Sequence, residues 1–156
     1  LKAWKKIYQM IPEWHLNIYG EGEHKKMLQD YIEENSLQRV ILKGSTSNVQ
    51  EVYRQSDFFV MSSKYEGLPM VLVEAQSFGL PIVSYDCPFG PSDVIQNHKN
   101  GLLVENQNIE ALADAILQLA SSPDMLAQFS QNSLINAKKY QPEQILKVWI
   151  EKVLEG

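Results

Sequence analysis

Two glutamates, Glu66 and Glu74, are the residues whose type and setting could do chemistry. Glu66 stands in a short polar loop, Ser62 to Pro69, that follows the apolar run Asp57-Phe58-Phe59-Val60-Met61. Glu74 stands in the stretch from Pro69 to Phe78, which is otherwise apolar on nearly every face. A carboxylate is seldom fully buried without a partner, and an ionised, unpaired one is costly there. Glu74 is therefore expected to be buried and to need a donor: a backbone N–H, a Lys or Arg, or a ligand hydroxyl. The pair could also serve as the acid and base of a hydrolase, but sequence spacing does not fix the distance between carboxyls. Beyond Pro69, the N–H groups of Met70 and Val71 at a helix start would form an anion site.

The elements that must position these residues follow from periodicity and punctuation. Asp57 to Ser62 reads as a buried strand, and Pro69 suits the first turn of a helix because its missing N–H costs nothing there. Gly79 and Pro81 stop that helix. Upstream, Trp4, Ile7, Tyr8 and Ile11 recur at helix spacing until Pro12. His15 to Tyr19 is a strand closed by Gly20-Glu21-Gly22. A helix from about Glu23 to Asn35 turns Met27, Leu28, Tyr31 and Ile32 inward. Arg39 to Lys43 is a strand closed by Gly44, and Asn48 caps a short helix carrying Val49, Val52 and Tyr53. Pro81 to Tyr85 is a strand, Ser92 to Gln96 one helical turn, and Gly101 to Val104 the last strand. Three helices finish the chain, starting near Asn108, at Ser122-Pro123-Asp124 and at Gln141-Pro142-Glu143. The last turns Ile145, Leu146, Trp149 and Val153 inward.

Strands alternate with helices from His15 to about Ala120, which predicts βαβ units with right-handed crossovers and a parallel α/β sheet covered on both faces. A domain that opens on a helix followed by a strand is expected to have lost the strand before it. In such sheets ligands bind beyond the carboxyl ends of the strands, where Glu66 and the glycines Gly20, Gly22, Gly44, Gly67 and Gly90 fall.

Composition narrows the function classes. With 156 residues, 44% hydrophobic and 21% charged, the chain can bury a core as one domain or two small ones. A net charge of -5 and the lack of a Lys/Arg stripe argue against nucleic acid. Cys87 is the single cysteine, which excludes intrachain disulfides and fits a reducing compartment. No apolar run approaches the length of a membrane span. His15, His24 and His98 lack metal-ligand spacing, so no metal is expected. Gly20-Glu21-Gly22 is half of a dinucleotide fingerprint, with Lys25 where the third glycine would stand. Ser62 and Ser63 lack a nucleophile elbow.

Taken together, Glu66-x7-Glu74, written Glu-Gly-Leu-Pro-Met-Val-Leu-Val-Glu-Ala, resembles the signature of retaining glycosyltransferases of the two-domain GT-B fold, the group 1 or family 4 set. Tyr19 to Gly22, Lys43-Gly44, Ser56-Asp57, Gly79 to Val83, Gly90 to Ile95 and Asn100 to Val104 resemble the family in the same order. The resemblance covers nearly the whole chain and corresponds to the carboxyl-terminal, donor-binding domain.

The resemblance implies a Rossmann-like domain over residues 1–156, part of a larger two-domain protein whose first strand of this domain is missing. It implies that Glu66 is catalytic, contacting a hydroxyl of the donor sugar, and that Glu74 binds the ribose hydroxyls of the nucleotide. It also implies that Gly67, Leu68, Met70 and Val71 hold sugar and diphosphate through their N–H groups, that Gly20 and Gly22 leave room for the nucleotide, and that Lys43 and Gly44 lie near the base. The expected activity is retaining transfer from a nucleotide-sugar, UDP favoured, without cofactor or metal, to a glycan or lipid-linked acceptor held by an amino-terminal domain. The expected place is the cytoplasm, with peripheral association at the inner face of the membrane. The isolated fragment is expected to be inactive, and Trp149 of the last helix, which packs back across the domain boundary in this fold, is expected to be partly exposed. The alternatives are a GT-B-fold epimerase and a nucleotide-sugar-binding module without activity.

Overall fold

The computed structural model describes residues 1–150 and Lys152, with the side chain of Val148 excepted. The order of elements is α1 (Lys2–Ile7), β1 (Leu16–Tyr19), α2 (Lys25–Glu34), β2 (Val40–Gly44), α3 (Val49–Arg54), β3 (Phe59–Met61), α4 (Met70–Ser77), β4 (Ile82–Asp86), α5 (Pro91–Val94), β5 (Gly101–Glu105), α6 (Ile109–Ala120), α7 (Pro123–Ala137) and α8 (Pro142–Trp149). A 3-10 turn over Lys138–Tyr140 joins the last two helices.

The expected α/β architecture with parallel strands is observed, with one difference. The strands form two sheets: β1 pairs with β2, and β3-β4-β5 run side by side, every pair parallel. Trp14, just before β1, packs at a tilt of 55° against Phe58, just before β3, with ring centroids 5.1 Å apart. The amino ends of the two sheets therefore adjoin, and all the strand carboxyl ends share one rim.

Strand β4 explains the layering. Its first four residues are all buried, as expected for a strand covered on both faces. Val83 and Tyr85 point into a core built with Trp4 and Ile7 of α1 and Leu112, Ile116 and Leu119 of α6. Ile82 points the other way, onto Leu72 and Val73 of α4 and Val94 beyond it. Leu72, Ile82 and Leu119 are fully buried, and each such side chain contributes about 1.5–3 kcal/mol by leaving water.

The helix starts behave as their residues dictate. The side chains of Asn48, Asn108 and Ser122 accept hydrogen bonds from the backbone N–H groups of Glu51, Ala111 and Met125. Gly79 ends α4 with a positive φ of +78°, which only glycine adopts at little cost.

Three expectations are corrected. Of the residues expected to face inward on α2, Leu28, Tyr31 and Ile32 are half-buried while Met27 is exposed, because α2 covers a two-stranded sheet with little apolar surface to receive it. Ile145 and Leu146 of α8 face solvent, since α8 extends past the packed layers, while Trp149 is partly exposed as the resemblance implies; the matching expectation for Val153 lies outside the described residues. Glu74, third, is exposed rather than buried. The apolar neighbours Leu72, Val73 and Ala75 occupy the inward faces of α4 and leave Glu74 on the remaining one.

Candidate functional site

The segment from Ser62 to Ser77 carries the chain from the end of β3 over the shared rim and down into α4. Glu66 is half-buried at its crest, between exposed Tyr65 and exposed Gly67. Glu74 lies just over one helical turn into α4, about 6 Å along the axis from its start. The two carboxylates thus belong to one contiguous loop and helix at the carboxyl edge of β3. They stand on an open shelf, not in an enclosed pocket: neither lines the cleft between the two sheets or the cavity at Gly20 and Gly22 described below.

Two contacts hold the shelf in place. Gly90, at φ +102°, lies against the Gly67–Pro69 turn so closely that a Cβ there would collide with the Pro69 ring and the Gly67 carbonyl. The Asn106 amide, past the end of β5, donates to the Lys64 carbonyl at 3.2 Å. Cys87, past the end of β4, is buried beneath; burial first, and then the charge of Glu66, push its thiol above the ordinary range. That thiol is therefore no nucleophile at neutral pH.

The donor that Glu74 was expected to need is Tyr53. Its hydroxyl donates to Glu74 Oε2 at 3.2 Å. Tyr53 is buried, with its ring 5.5 Å from Phe78 and 6.2 Å from Phe59. Burial, then the Glu74 charge and the hydrogen bond to it, push the Tyr53 phenol up to about 12, so it stays protonated and donating. One phenol meets only part of what a carboxylate accepts, and the exposed side chain keeps capacity for a ligand hydroxyl.

The backbone of the shelf corrects a further expectation. The Met70 N–H is taken by the Leu68 carbonyl at 2.9 Å, because Pro69 forces a tight turn into α4. The Met70 group is thus not open to an anion. Gly67 is exposed and has no atom within 4 Å of where a Cβ would lie, although its carbonyl packs against Gly90; Leu68 and Met70 are exposed and Val71 is half-buried.

The remaining predicted residues lie farther along the rim. Gly20 and Gly22 border a cavity of about 310 Å³ that Leu28 of α2 and Leu42 of β2 also line, and a Cβ at either glycine would meet nothing within 4 Å. Lys43 sits on the exposed face of β2, and Gly44 packs under Glu21, which pairs with Lys25 at 3.0 Å. With β1 and the gap between the sheets intervening, Lys43 and Gly44 are not gathered with Glu66 and Glu74. Among the described residues, no three His, Cys, Asp or Glu side chains cluster as metal ligands would.

Two features were missed from sequence. Tyr53 reads as one more inward residue of a short helix, and no local signal links it to Glu74. Phe89 is 81% exposed at φ +64°, beside Gly90 and so beside the Glu66 turn. A large aromatic between Pro88 and Gly90 was the available signal.

Parallel strands with helices on both faces and a loop–helix shelf on their carboxyl rim define a domain of the Rossmann-like type. The solved C-terminal domain of a glycosyl transferase group 1 family protein, LpcC from Francisella tularensis, shares this fold, with a TM-score of 0.79 over 90% of this chain and 77% of that one at 23% identity. The family profile "Glycosyl transferases group 1" matches residues 1–134, and the chain belongs to that family. It is 40% identical over 136 residues, 86% of this chain and 28% of the relative, to the poly(ribitol-phosphate) alpha-N-acetylglucosaminyltransferase of Staphylococcus aureus. The structure of a mutant of S. aureus TarM, solved with fondaparinux, alpha-GlcNAc-glycerol and UDP, superposes with a TM-score of 0.89 at 36% identity, covering 96% of this chain and 31% of that one. The chain spans less than half the length of the curated relatives it matches. No described helix is long and apolar enough to cross a membrane.

Proposed function

We propose that residues 1–156 form the donor-binding domain of a longer, two-domain glycosyltransferase, which moves a sugar from a UDP-sugar to a glycan or lipid-linked acceptor with retention. The observation that carries this reading is the shelf itself: two carboxylates on one loop and helix at the strand carboxyl rim, pinned by Gly90 and steadied by Tyr53. The transferase names of the matched relatives favour transfer over the epimerase alternative, and the UDP bound by the TarM mutant supports the choice of nucleotide.

In this reading Glu74 accepts hydrogen bonds from the ribose hydroxyls, with Tyr53 holding its second side. Glu66, at the crest, takes a hydroxyl of the donor sugar and sets its orientation. The N–H groups of Gly67, Leu68 and Val71 face the diphosphate, where the α4 dipole favours the negative charge that develops on the leaving group. Met70 drops out of that set. The open space at Gly20 and Gly22 admits the nucleotide, and Lys43-Gly44 stand toward the base. No metal is required, since N–H groups and the helix dipole meet the diphosphate charge. Contacts from the other domain complete the site, so the fragment alone transfers no sugar, and the whole enzyme works in the cytoplasm at the inner membrane face.

The test is ligand-detected binding of a UDP- and GDP-sugar panel to the full-length protein, repeated with Glu74→Ala. Glu74→Ala is expected to weaken every nucleotide by roughly tenfold or more, the scale of a lost charged hydrogen bond. Unchanged affinity would remove the ribose role.

A further inference from the structure

Phe89 does not serve the packing of this domain. It is 81% exposed and belongs to none of the apolar clusters among the described residues. Its φ of +64° is an outlier for a bulky side chain, held only where the surroundings impose it. Glycine or asparagine would sit there at less cost. The surroundings that impose it are rigid. Pro88 restricts the chain on one side. On the other, Gly90 at φ +102° lies against the Pro69 ring and the Gly67 carbonyl. The N–H groups of Asp93 and Val94 then both donate to the Gly90 carbonyl, at 3.1 and 3.3 Å, as α5 begins. The Tyr140 hydroxyl fixes that turn from behind by donating to the Asp93 carbonyl at 2.8 Å. A large apolar ring is thus held out into solvent at the rim, on a firm mount and in a conformation that costs free energy.

We propose that Phe89 is a specificity-determining residue for the transferred sugar: its ring packs on a C–H face of the donor's glycosyl group while Glu66 holds a hydroxyl of the same sugar. The inference rests on the donor-domain reading above and adds to it a residue that tells a nucleotide-sugar from the bare nucleotide. Two observations carry it. The first is chemical. The Gly67 carbonyl that Gly90 touches belongs to the residue after Glu66, and the Glu66 charge reaches the Cys87 thiol two residues before Phe89. Carboxylate and ring therefore rise from adjoining turns. A pyranose presents hydroxyls at its edge and apolar C–H groups on its faces, so an acceptor of hydroxyls beside an exposed aromatic matches both. The second is positional. Lys43-Gly44 end β2, Gly20 to Gly22 follow β1, Glu66 and Glu74 follow β3, and Phe89 follows β4. A donor whose base and ribose occupy the first part of that series brings its sugar to Glu66, and the ring stands one strand beyond, away from the nucleotide. An axial hydroxyl on the covered face breaks the contact, so the ring favours sugars whose C–H face is unbroken. The strain at Phe89 then has a use, since a relaxed residue at that φ would carry no ring.

Binding to the full-length protein tests this. The readout is the ratio of the affinity for a UDP-sugar to that for UDP alone, taken with UDP-glucose, UDP-N-acetylglucosamine and UDP-galactose. Phe89→Gly and Phe89→Asn remove the ring and keep a residue that tolerates positive φ. Both are expected to leave UDP affinity unchanged and not to lower the melting temperature. Both are expected to cut the ratio by about three- to tenfold for whichever of the three sugars is bound best, the scale of one aromatic packing contact. Phe89→Tyr is expected to keep it. An unchanged ratio overturns the proposal, and so does an equal loss for UDP and UDP-sugar. A rise in the acceptor's KM alone overturns it by giving the ring to the acceptor. A lowered melting temperature in both variants overturns it by giving the ring to packing within the protein. Glu74→Ala, read with UDP alone, reports separately on the donor-domain reading, so either can fail while the other stands.

Discussion

At the scale of single residues, the Tyr53–Glu74 pair carries two expectations. Tyr53→Phe removes the donor at 3.2 Å and keeps the ring contacts with Phe59 and Phe78. In the full-length protein it is expected to weaken UDP binding by a few-fold, because Glu74 loses the hydrogen bond that orients its carboxylate, without lowering the melting temperature as Tyr53→Ala would. Because the Tyr53 phenol is raised from the ordinary value near 10 to about 12, its contribution to stability is fully present below pH 10 and is lost as pH rises through about 12. Denaturation midpoints measured across that alkaline range are expected to fall more steeply for wild type than for Tyr53→Phe. Glu74 was legible as a functional residue because it interrupts an apolar run. Its exposure was not, because the run is apolar for the sake of three faces of α4 and composition does not say which face is left open. Tyr53 was illegible as its partner because the link joins α3 to α4 through space.

At the scale of elements, the loop after β4 and the loop after β3 act as one piece. Gly90→Ala places a methyl group against Pro69 and the Gly67 carbonyl at a φ that disfavours any side chain. The expected cost is about 1–3 kcal/mol, together with weaker donor binding, read from thermal unfolding and the same nucleotide panel. Gly67→Ala meets nothing within 4 Å and is expected to leave stability within about 0.5 kcal/mol. A second tie sits behind α4. The buried Asn136 of α7 donates to Gln76 of α4 and to the Val94 carbonyl, both at 2.8 Å, and accepts from Gln96 at 2.8 Å. Asn136→Leu strands these buried groups and is expected to destabilise the domain by about 3 kcal/mol or more in denaturant unfolding. The caps at Asn48, Asn108 and Ser122 were legible because capping is local chemistry. The Asn136 cluster was not, since its members lie far apart in sequence and each alone passes for a surface polar residue.

At the scale of the whole molecule, α8 presents Ile145, Leu146 and Trp149 to solvent, with Trp149 53% exposed. On the two-domain reading proposed above, this apolar helix face meets the other domain. In the full-length chain, acrylamide quenching of Trp149, taken as the difference between wild type and Trp149→Phe, is expected to be weak; strong quenching would mean that face stays open. The alternation of strands and helices made the fold class legible. The division into two sheets was not, because pairing between strands is decided by what lies between them.

The gap between β1 and β3 has a practical corollary for anyone who makes this piece alone. Two raw strand borders facing each other are a template for any extended peptide, including a frayed end of a neighbouring copy. Residues 1–156 produced in isolation are therefore expected to stick to one another in chains, scattering light as concentration rises.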